Sequence, residues 1–406
     1  MDVEIRHITE KEHQEYLQIV YTVFGMKPVK EYLKRRKHTM ESDRCLAAYV
    51  DGKIVGANGV LSFTLSVPKG TVKAGGIIDV VVYPTHRRQG IMSKLMKRQL
   101  NEILNKNEPI AVLYSADSGT YGRFGFGLAT FQESWEIQRT DTKFRKTLTD
   151  YNNAKNIEMV SAKEISNIMP KIYNETWYYR PGMIKREKPR WDRLKLEMER
   201  QDIPGISSYA LFKKNGNPEG YVNYRLDLNT TATNGNLMIN EIISTTNEAH
   251  LNLLNFCLNI DGVKKITSKS RPLDDPITWI LEEPRKLYRN VEDQLHLRIL
   301  DVPNALISRK YNTDGQITML IKDNIFESNN TKFILKTFGD IVTCEKTDLP
   351  HDITIDIREL GSLYLGGTNW LNLWKSKLIE TNSFEKLQLA DQMFYSTQSP
   401  WCADYF

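Results

Sequence analysis

Apolar positions along the chain change between a period of two and a period near 3.6, and the changes mark three stretches. Residues 3–25 read as a short strand followed by an amphipathic helix. Residues 45–50 and 53–58 read as a hairpin whose Asp51-Gly52 pair suits a tight two-residue connection. The apolar run 75–84 reads as a buried strand. Residues 91–104 follow with helical spacing, placing Ile91, Leu95, Met96, Leu100 and Leu104 on one face. Residues 110–115 form another buried strand, and the glycine-rich turn 120–127 leads into a last strand around 129–136 that closes a first unit.

Residues 141–156 are polar and read as a linker. Helices are expected over 163–179 and 189–200, a hairpin pair over 207–213 and 220–228 around Asn215-Gly216, then a helix over 247–258 and a strand over 264–269. This middle stretch repeats the element types of the first without an obvious sequence repeat. From about Leu297 the pattern changes to strands near 315–321, Ile334 and 352–357, then helices, which is an α+β domain. The expected domains are residues 1–150, 151–290 and 291–406.

With 406 residues the chain exceeds what one core usually supports, and 40% hydrophobic with 26% charged residues is an ordinary globular composition. The longest apolar runs fall far short of the ~20 residues that cross a bilayer, so no membrane span is expected. The charged N-terminus lacks the apolar core of a signal peptide, and a cytosolic protein is expected. Cys45, Cys257, Cys344 and Cys402 lie far apart without ligand spacing, which argues against disulfides and zinc and for buried thiols. The net charge of +5 and short basic clusters such as Lys34-Arg35-Arg36-Lys37 and Arg87-Arg88 fall short of a nucleic-acid footprint.

Chemistry concentrates in residues 79–96: a buried strand, a proline turn, a basic loop with Gly90 and a helix start. Backbone N–H groups at such a helix start converge at the positive end of its dipole, a cradle for a pyrophosphate. Gly90 lets the backbone approach the phosphates, and Arg87 and Arg88 add charge; a plain strand–loop–helix connection with solvated arginines is the alternative. The stretch V-x-P-x-x-R-R-x-G-I-x-x-x-L resembles the coenzyme A signature of GNAT acetyltransferases, Arg/Gln-x-x-Gly-x-Gly/Ala, with Met92 standing where a small residue is usual. Its run of arginines, glycine and apolar residues resembles the Eis (enhanced intracellular survival) branch.

That resemblance implies that Arg87, Arg88, Gln89, Gly90, Ile91, Met92 and Ser93 bind the cofactor phosphates. It also implies that Val80, Val81 and Val82, with Ala116 and Asp117, meet its pantetheine arm. Tyr121-Gly-Arg-Phe-Gly-Phe126 resembles the superfamily's Y-x-x-x-G-F segment, in which the tyrosine faces the acyl sulfur, and a phenol there can protonate the departing thiolate. The aromatic end, Trp401-Cys-Ala-Asp-Tyr-Phe406, resembles the Eis C-terminus, whose α-carboxylate is thought to act as general base; a terminus simply packed by its aromatic rings is the alternative. Tyr179-Arg-Pro-Gly-Met183, Trp191-Asp192 and Leu297-x-x-Leu-Asp-Val-Pro303 also look like Eis landmarks.

The implied fold class is α+β: tandem GNAT-like domains, the second without a coenzyme A loop, and a C-terminal sterol-carrier-protein-like domain. The implied function is acetyl transfer from acetyl-coenzyme A to a primary amine of an aminoglycoside, polyamine-like or lysine acceptor, with Tyr121 and Phe406 catalytic and no metal. Asp117 and Asp404 are candidates for attracting a cationic amine, and a homo-oligomer, a hexamer, is expected by resemblance. The competing function is a non-catalytic coenzyme A sensor or lipid carrier. His86 reads as loop packing or a phosphate contact, His250 and His296 as structural, and residues 361–367 as a turn.

Overall fold

The computed structural model describes residues 2–27, 36, 40–151, 156–198, 204–228 and 234–406. Lys34, Arg35 and Lys37, residues 152–155 of the expected linker and the last two residues of the helix expected over 189–200 lie outside them. Two compact units emerge: Met1–Thr130 with Pro181–Ile184 and Gln294–Phe406, and Phe131–Arg180 with Lys185–Asp293.

In the first unit β1 (Glu4–His7), β2 (Leu46–Val50), β3 (Lys53–Val67), β4 (Gly70–Val82), β5 (Ile110–Tyr114) and β6 (Gly127–Leu128) belong to one sheet, with α1 (His13–Phe24) and α2 (Ile91–Asn105) packed on it. The β2–β3 connection has positive φ at both Asp51 (49°) and Gly52 (75°), the twist a two-residue hairpin turn requires. A strand from far along the chain, β14 (Leu295–Ile299), enters this sheet between β5 and β6. Conversely β7 (Phe131–Gln138), the strand expected to close the first unit, pairs with β12 (Val263–Arg271) and β13 (Tyr288–Asp293) in the second. Sequence order alone does not reveal this exchange, because each strand carries the same alternating pattern in either sheet.

The second unit completes its sheet with β8 (Ile157–Val160), β9 (Ile206–Lys214), β10 (Asn217–Asp227) and β11 (Gly235–Ser244) in the order β13-β7-β12-β11-β10-β9-β8. Asn215 and Gly216 again share positive φ in its hairpin. Its longer helices, among the described residues, are α3 (Ala162–Asn174), shorter than expected, α4 (Lys188–Met198) and α5 (Asn247–Leu258). His250 is half-buried there, and desolvation pushes it down to about 4 despite Asp275 nearby, so it is neutral.

The remaining chain of the first unit builds a five-stranded sheet from β15 (Gly315–Lys322), β16 (Lys332–Phe338), β17 (Ile341–Lys346), β18 (Ile353–Asp356) and β19 (Ile379–Thr381), with α6 (Ile357–Leu363) and α7 (Phe384–Phe394). The glycine-rich stretch expected as a turn begins inside α6: a Cβ on Gly361 would stand 2.4 Å from the Leu297 carbonyl oxygen, so glycine serves close packing of that helix on β14. One apolar core joins both sheets of this unit, running from Leu65, Ile110 and Val112 through Leu297 to Leu360, Trp370 and Phe394.

Two buried arginines fasten that core. Arg309 donates to the carbonyls of Tyr364 (2.5 Å) and Phe394 (3.0 Å), filling acceptors left open at the C-terminal ends of α6 and α7. Arg298, on β14, donates from Nη2 to both oxygens of Asp323 (2.7 and 2.6 Å), which also accepts from the backbone N–H groups of Ile325 and Phe326. Removing one partner of such a pair strands a buried charge, at a cost of about 3–5 kcal/mol. Asp323→Ala is therefore expected to lower the urea midpoint of unfolding by that equivalent, while Lys386→Ala, at an exposed backbone contact, leaves it within about 0.5 kcal/mol.

Candidate functional site

After β4 a single turn of 3-10 helix, Pro84–His86, leads into a loop in which Arg88 (φ 63°) and Gly90 (φ 80°) both take left-handed backbone. Gly90 is the N-cap of α2 and has no side chain to close the helix end; a Cβ there would meet nothing within 4 Å. Lys94 N–H makes the bond to the Gly90 carbonyl (3.0 Å), so the N–H groups of Ile91, Met92 and Ser93 have no acceptor inside the helix. Arg87, Arg88, Gln89 and Gly90 are exposed, while Ile91 is buried and anchors the helix start. The Arg87 Nε donates to the Val82 carbonyl (3.2 Å), which ties the loop to the strand that precedes it. An open backbone cradle flanked by exposed guanidiniums suits a pyrophosphate. His86 pairs locally with the Thr85 hydroxyl (2.9 Å).

The parallel ladder between β4 and β5 consists of Ala74–Ile110, Gly75–Ala111 and Gly76–Val112, although β4 continues to Val82 and β5 to Tyr114. Beyond Gly76 the two strands fork. A β-bulge sets Asp79 and Val80 of β4 against Asn58 of β3, with Asp79 at φ 57°. Val80 and Met92 pack on the same apolar cluster as Tyr121, together with Ile77, Leu113 and Phe126. The Met92 sulfur accepts from the Arg123 Nη2 (3.5 Å), so the larger residue in the loop motif lies over the tyrosine turn.

Tyr121 sits in the short helix Ser118–Gly122, edge-on to Phe126 with ring centroids 6.2 Å apart. Burial, with the Asp117 charge adding to it, pushes its phenol up to about 12. Asp117 is a capping residue: its carboxylate accepts from Gly119 N–H (3.1 Å) and the Thr120 hydroxyl (2.8 Å). Ala116 is exposed at the end of the β5 run. Beneath the same turn, Gly125 (φ 79°) lies against Arg298, whose Nη1 would stand 2.6 Å from a Cβ there.

The C-terminal residues are fastened to this unit. Gln294 clamps Cys402, donating to its carbonyl (2.7 Å) and accepting from its N–H (3.1 Å), and Trp401 N–H donates to the Pro181 carbonyl (2.9 Å). Tyr114, the last residue of β5, donates its hydroxyl to the Asp404 carbonyl and packs against the rings of both Tyr405 and Phe406. Phe406 also meets Phe63 edge-on at 4.7 Å. The chain end therefore lies where β5 enters the fork, seven residues before Tyr121. Asp404 is buried and does not face solvent.

Sequence reasoning singled out the loop, the tyrosine and the chain end, but not Phe63, Tyr114 and Gln294, which hold that end, or Asp79 at the bulge. A left-handed Asp inside an apolar run leaves no composition signal, and Gln294 acquires its meaning only from a partner 108 residues away. The four cysteines are free and buried. Among the described residues no group of three metal-ligating side chains comes together, and no helix is long and apolar enough to cross a membrane.

Residues 4–129 match an acetyltransferase (GNAT) domain family, residues 182–299 a second acetyltransferase (GNAT) domain family, and residues 302–403 a sterol carrier protein domain. An uncharacterized N-acetyltransferase of Streptomyces avermitilis is 29% identical over 366 residues, 89% of each chain. The N-acetyltransferase Eis of Mycobacterium tuberculosis is 28% identical over 349 residues, 85% of this chain and 84% of its own. Among solved structures, Eis1 from Mycobacterium abscessus aligns with a TM-score of 0.87 at 25% identity, covering 99% of this chain and 100% of its own. With two GNAT folds, a sterol-carrier domain and an open backbone cradle beside a forked sheet, the chain belongs to the GNAT superfamily of acetyltransferases and is Eis-like within it.

Proposed function

We propose that this enzyme moves the acetyl group of acetyl-coenzyme A to a primary amine of a small cationic acceptor by direct attack. The observation that carries the reading is the uncapped start of α2 at Gly90 standing next to the β4–β5 fork. The cradle suits the cofactor pyrophosphate, held by the N–H groups of Ile91, Met92 and Ser93 with Arg87, Arg88 and Gln89 around it. The open edge of β4 at Val80, Val81 and Val82, with Ala116 and Asp117 opposite, offers main-chain partners to the pantetheine arm. In this reading residues 1–150 carry catalysis, 151–290 form a GNAT-like domain without the cradle, and 291–406 deliver the chain end. The family resemblance adds a hexameric assembly.

The amine nitrogen, deprotonated, attacks the thioester carbonyl carbon, and the Phe406 carboxylate takes the proton directly or through water. As the C–N bond forms and the C–S bond breaks, the electron pair leaves on sulfur and Tyr121 supplies its proton. A phenol raised to about 12 stays protonated across the range in which the amine becomes a free base. An acyl-enzyme route through cysteine finds no support, since all four thiols are buried and burial pushes those of Cys45, Cys257 and Cys344 up.

Release of free thiol from acetyl-coenzyme A, on mixing with aminoglycosides, polyamines and lysine peptides, tests the reading with the natural C-terminus left untagged. Tyr121→Phe is expected to lower kcat by about 10²-fold or more, and residues appended after Phe406 to lower it comparably, with coenzyme A affinity kept in both. Unchanged rates in both variants would remove this mechanism. The rate should rise with pH as the amine deprotonates and show no alkaline fall up to about pH 10, because the acid partner titrates above that.

A further inference from the structure

Asp79 stands apart from the rest of β4. It combines left-handed backbone (φ 57°) with a buried carboxylate, whose Oδ2 is met by the Arg36 guanidinium and by the Tyr16 hydroxyl (3.3 Å). The strand register fixes the face it serves. Gly59 pairs with Ile78, Leu61 with Gly76 and Phe63 with Ala74; a Cβ on Gly59 would reach the Tyr16 hydroxyl at 2.8 Å, and one on Gly76 would collide with the Phe63 ring. Tyr16, Asp79 and Phe63 thus share a face, and Val112 opposite Gly76 brings Tyr114 to it by strand alternation. Phe406 rests on Phe63 and Tyr114, so the terminal residue lies on that face too. Val60, Ile77 and Val80 point to the other side, with Met92 and Tyr121.

The fork therefore separates a cofactor side from a side that carries the Asp79 carboxylate and the terminal residue. A carboxylate taken out of water needs a cation in contact. Arg36 provides one in the free protein, and an ammonium group can exchange for it charge for charge.

Resting on the acetyl-transfer reading above, we propose that Asp79 anchors a second ammonium of the acceptor and that Arg36 holds its place until the acceptor binds. The reacting nitrogen must be neutral, whereas another amine of the same molecule, with a pKa of about 10.4 if it behaves like a lysine, stays charged. The enzyme then selects acceptors with at least two amino groups over monoamines.

The two partners of the ion pair should consequently move acceptor binding in opposite directions. Calorimetric binding of spermidine to the full chain saturated with coenzyme A reads this without turnover, and thiol release gives the ratio of kcat/KM for spermidine over butylamine. Asp79→Asn, which tolerates left-handed backbone, is expected to weaken spermidine binding at least tenfold and to lower the ratio similarly. Arg36→Gln should tighten spermidine severalfold; if it does not fold, Arg36→Lys, which loses the guanidinium fork, is measured for the same sign. Weakening by both variants, no change in Asp79→Asn, or no spermidine binding by the unaltered protein overturns the proposal. Spermidine binding without thiol release from any amine instead defeats the acetyl-transfer reading, and the affinities of the two variants still decide the role of Asp79.

Discussion

The three-pair ladder between β4 and β5 is the constraint on which the rest of the first unit depends. Parallel strands that stop pairing while both continue leave backbone donors and acceptors open, and such a fork persists only if each strand is held from outside. β3 holds β4 along nearly its whole length, and the bulge at Asp79 turns the free part of β4 without breaking that attachment. β14 holds β5 over all five residues, from Tyr114 opposite Leu295 to Ile110 opposite Ile299. The strand that braces one arm of the fork is supplied from nearly two hundred residues away.

That bracing ties the fork to the C-terminal part of the chain. Arg298 on β14 is locked by Asp323 and lies under the Gly125 turn, while Gln294, just before β14, clamps Cys402. One short strand thereby sets both the seat of the tyrosine turn and the path of the chain end. The sterol-carrier-like sheet shares a single apolar core with this arrangement, so its packing and the position of Phe406 are not separable.

The second unit shows how little separates an open helix start from a closed one. α5 follows a strand much as α2 does, but its N-cap is Thr246, whose hydroxyl accepts from Ala249 N–H (3.2 Å). The helix satisfies itself, whereas Gly90 leaves the corresponding groups of α2 open.

By itself the sequence determined the local pieces: hairpin turns at Asp51-Gly52 and Asn215-Gly216, the amphipathic run of α2, the full extent of α5, and the loop, tyrosine and aromatic end that carry the resemblance. Each is written in neighbouring residues, through turn chemistry, helical spacing or glycine at a helix start. Tertiary structure decided the exchange of β7 and β14 between sheets, the clamp on the chain end by Gln294 and Tyr114, and the pairing of Arg36 with Asp79. These rest on contacts between residues tens to hundreds of positions apart, and an alternating strand pattern fits either sheet until hydrogen-bond partners are chosen.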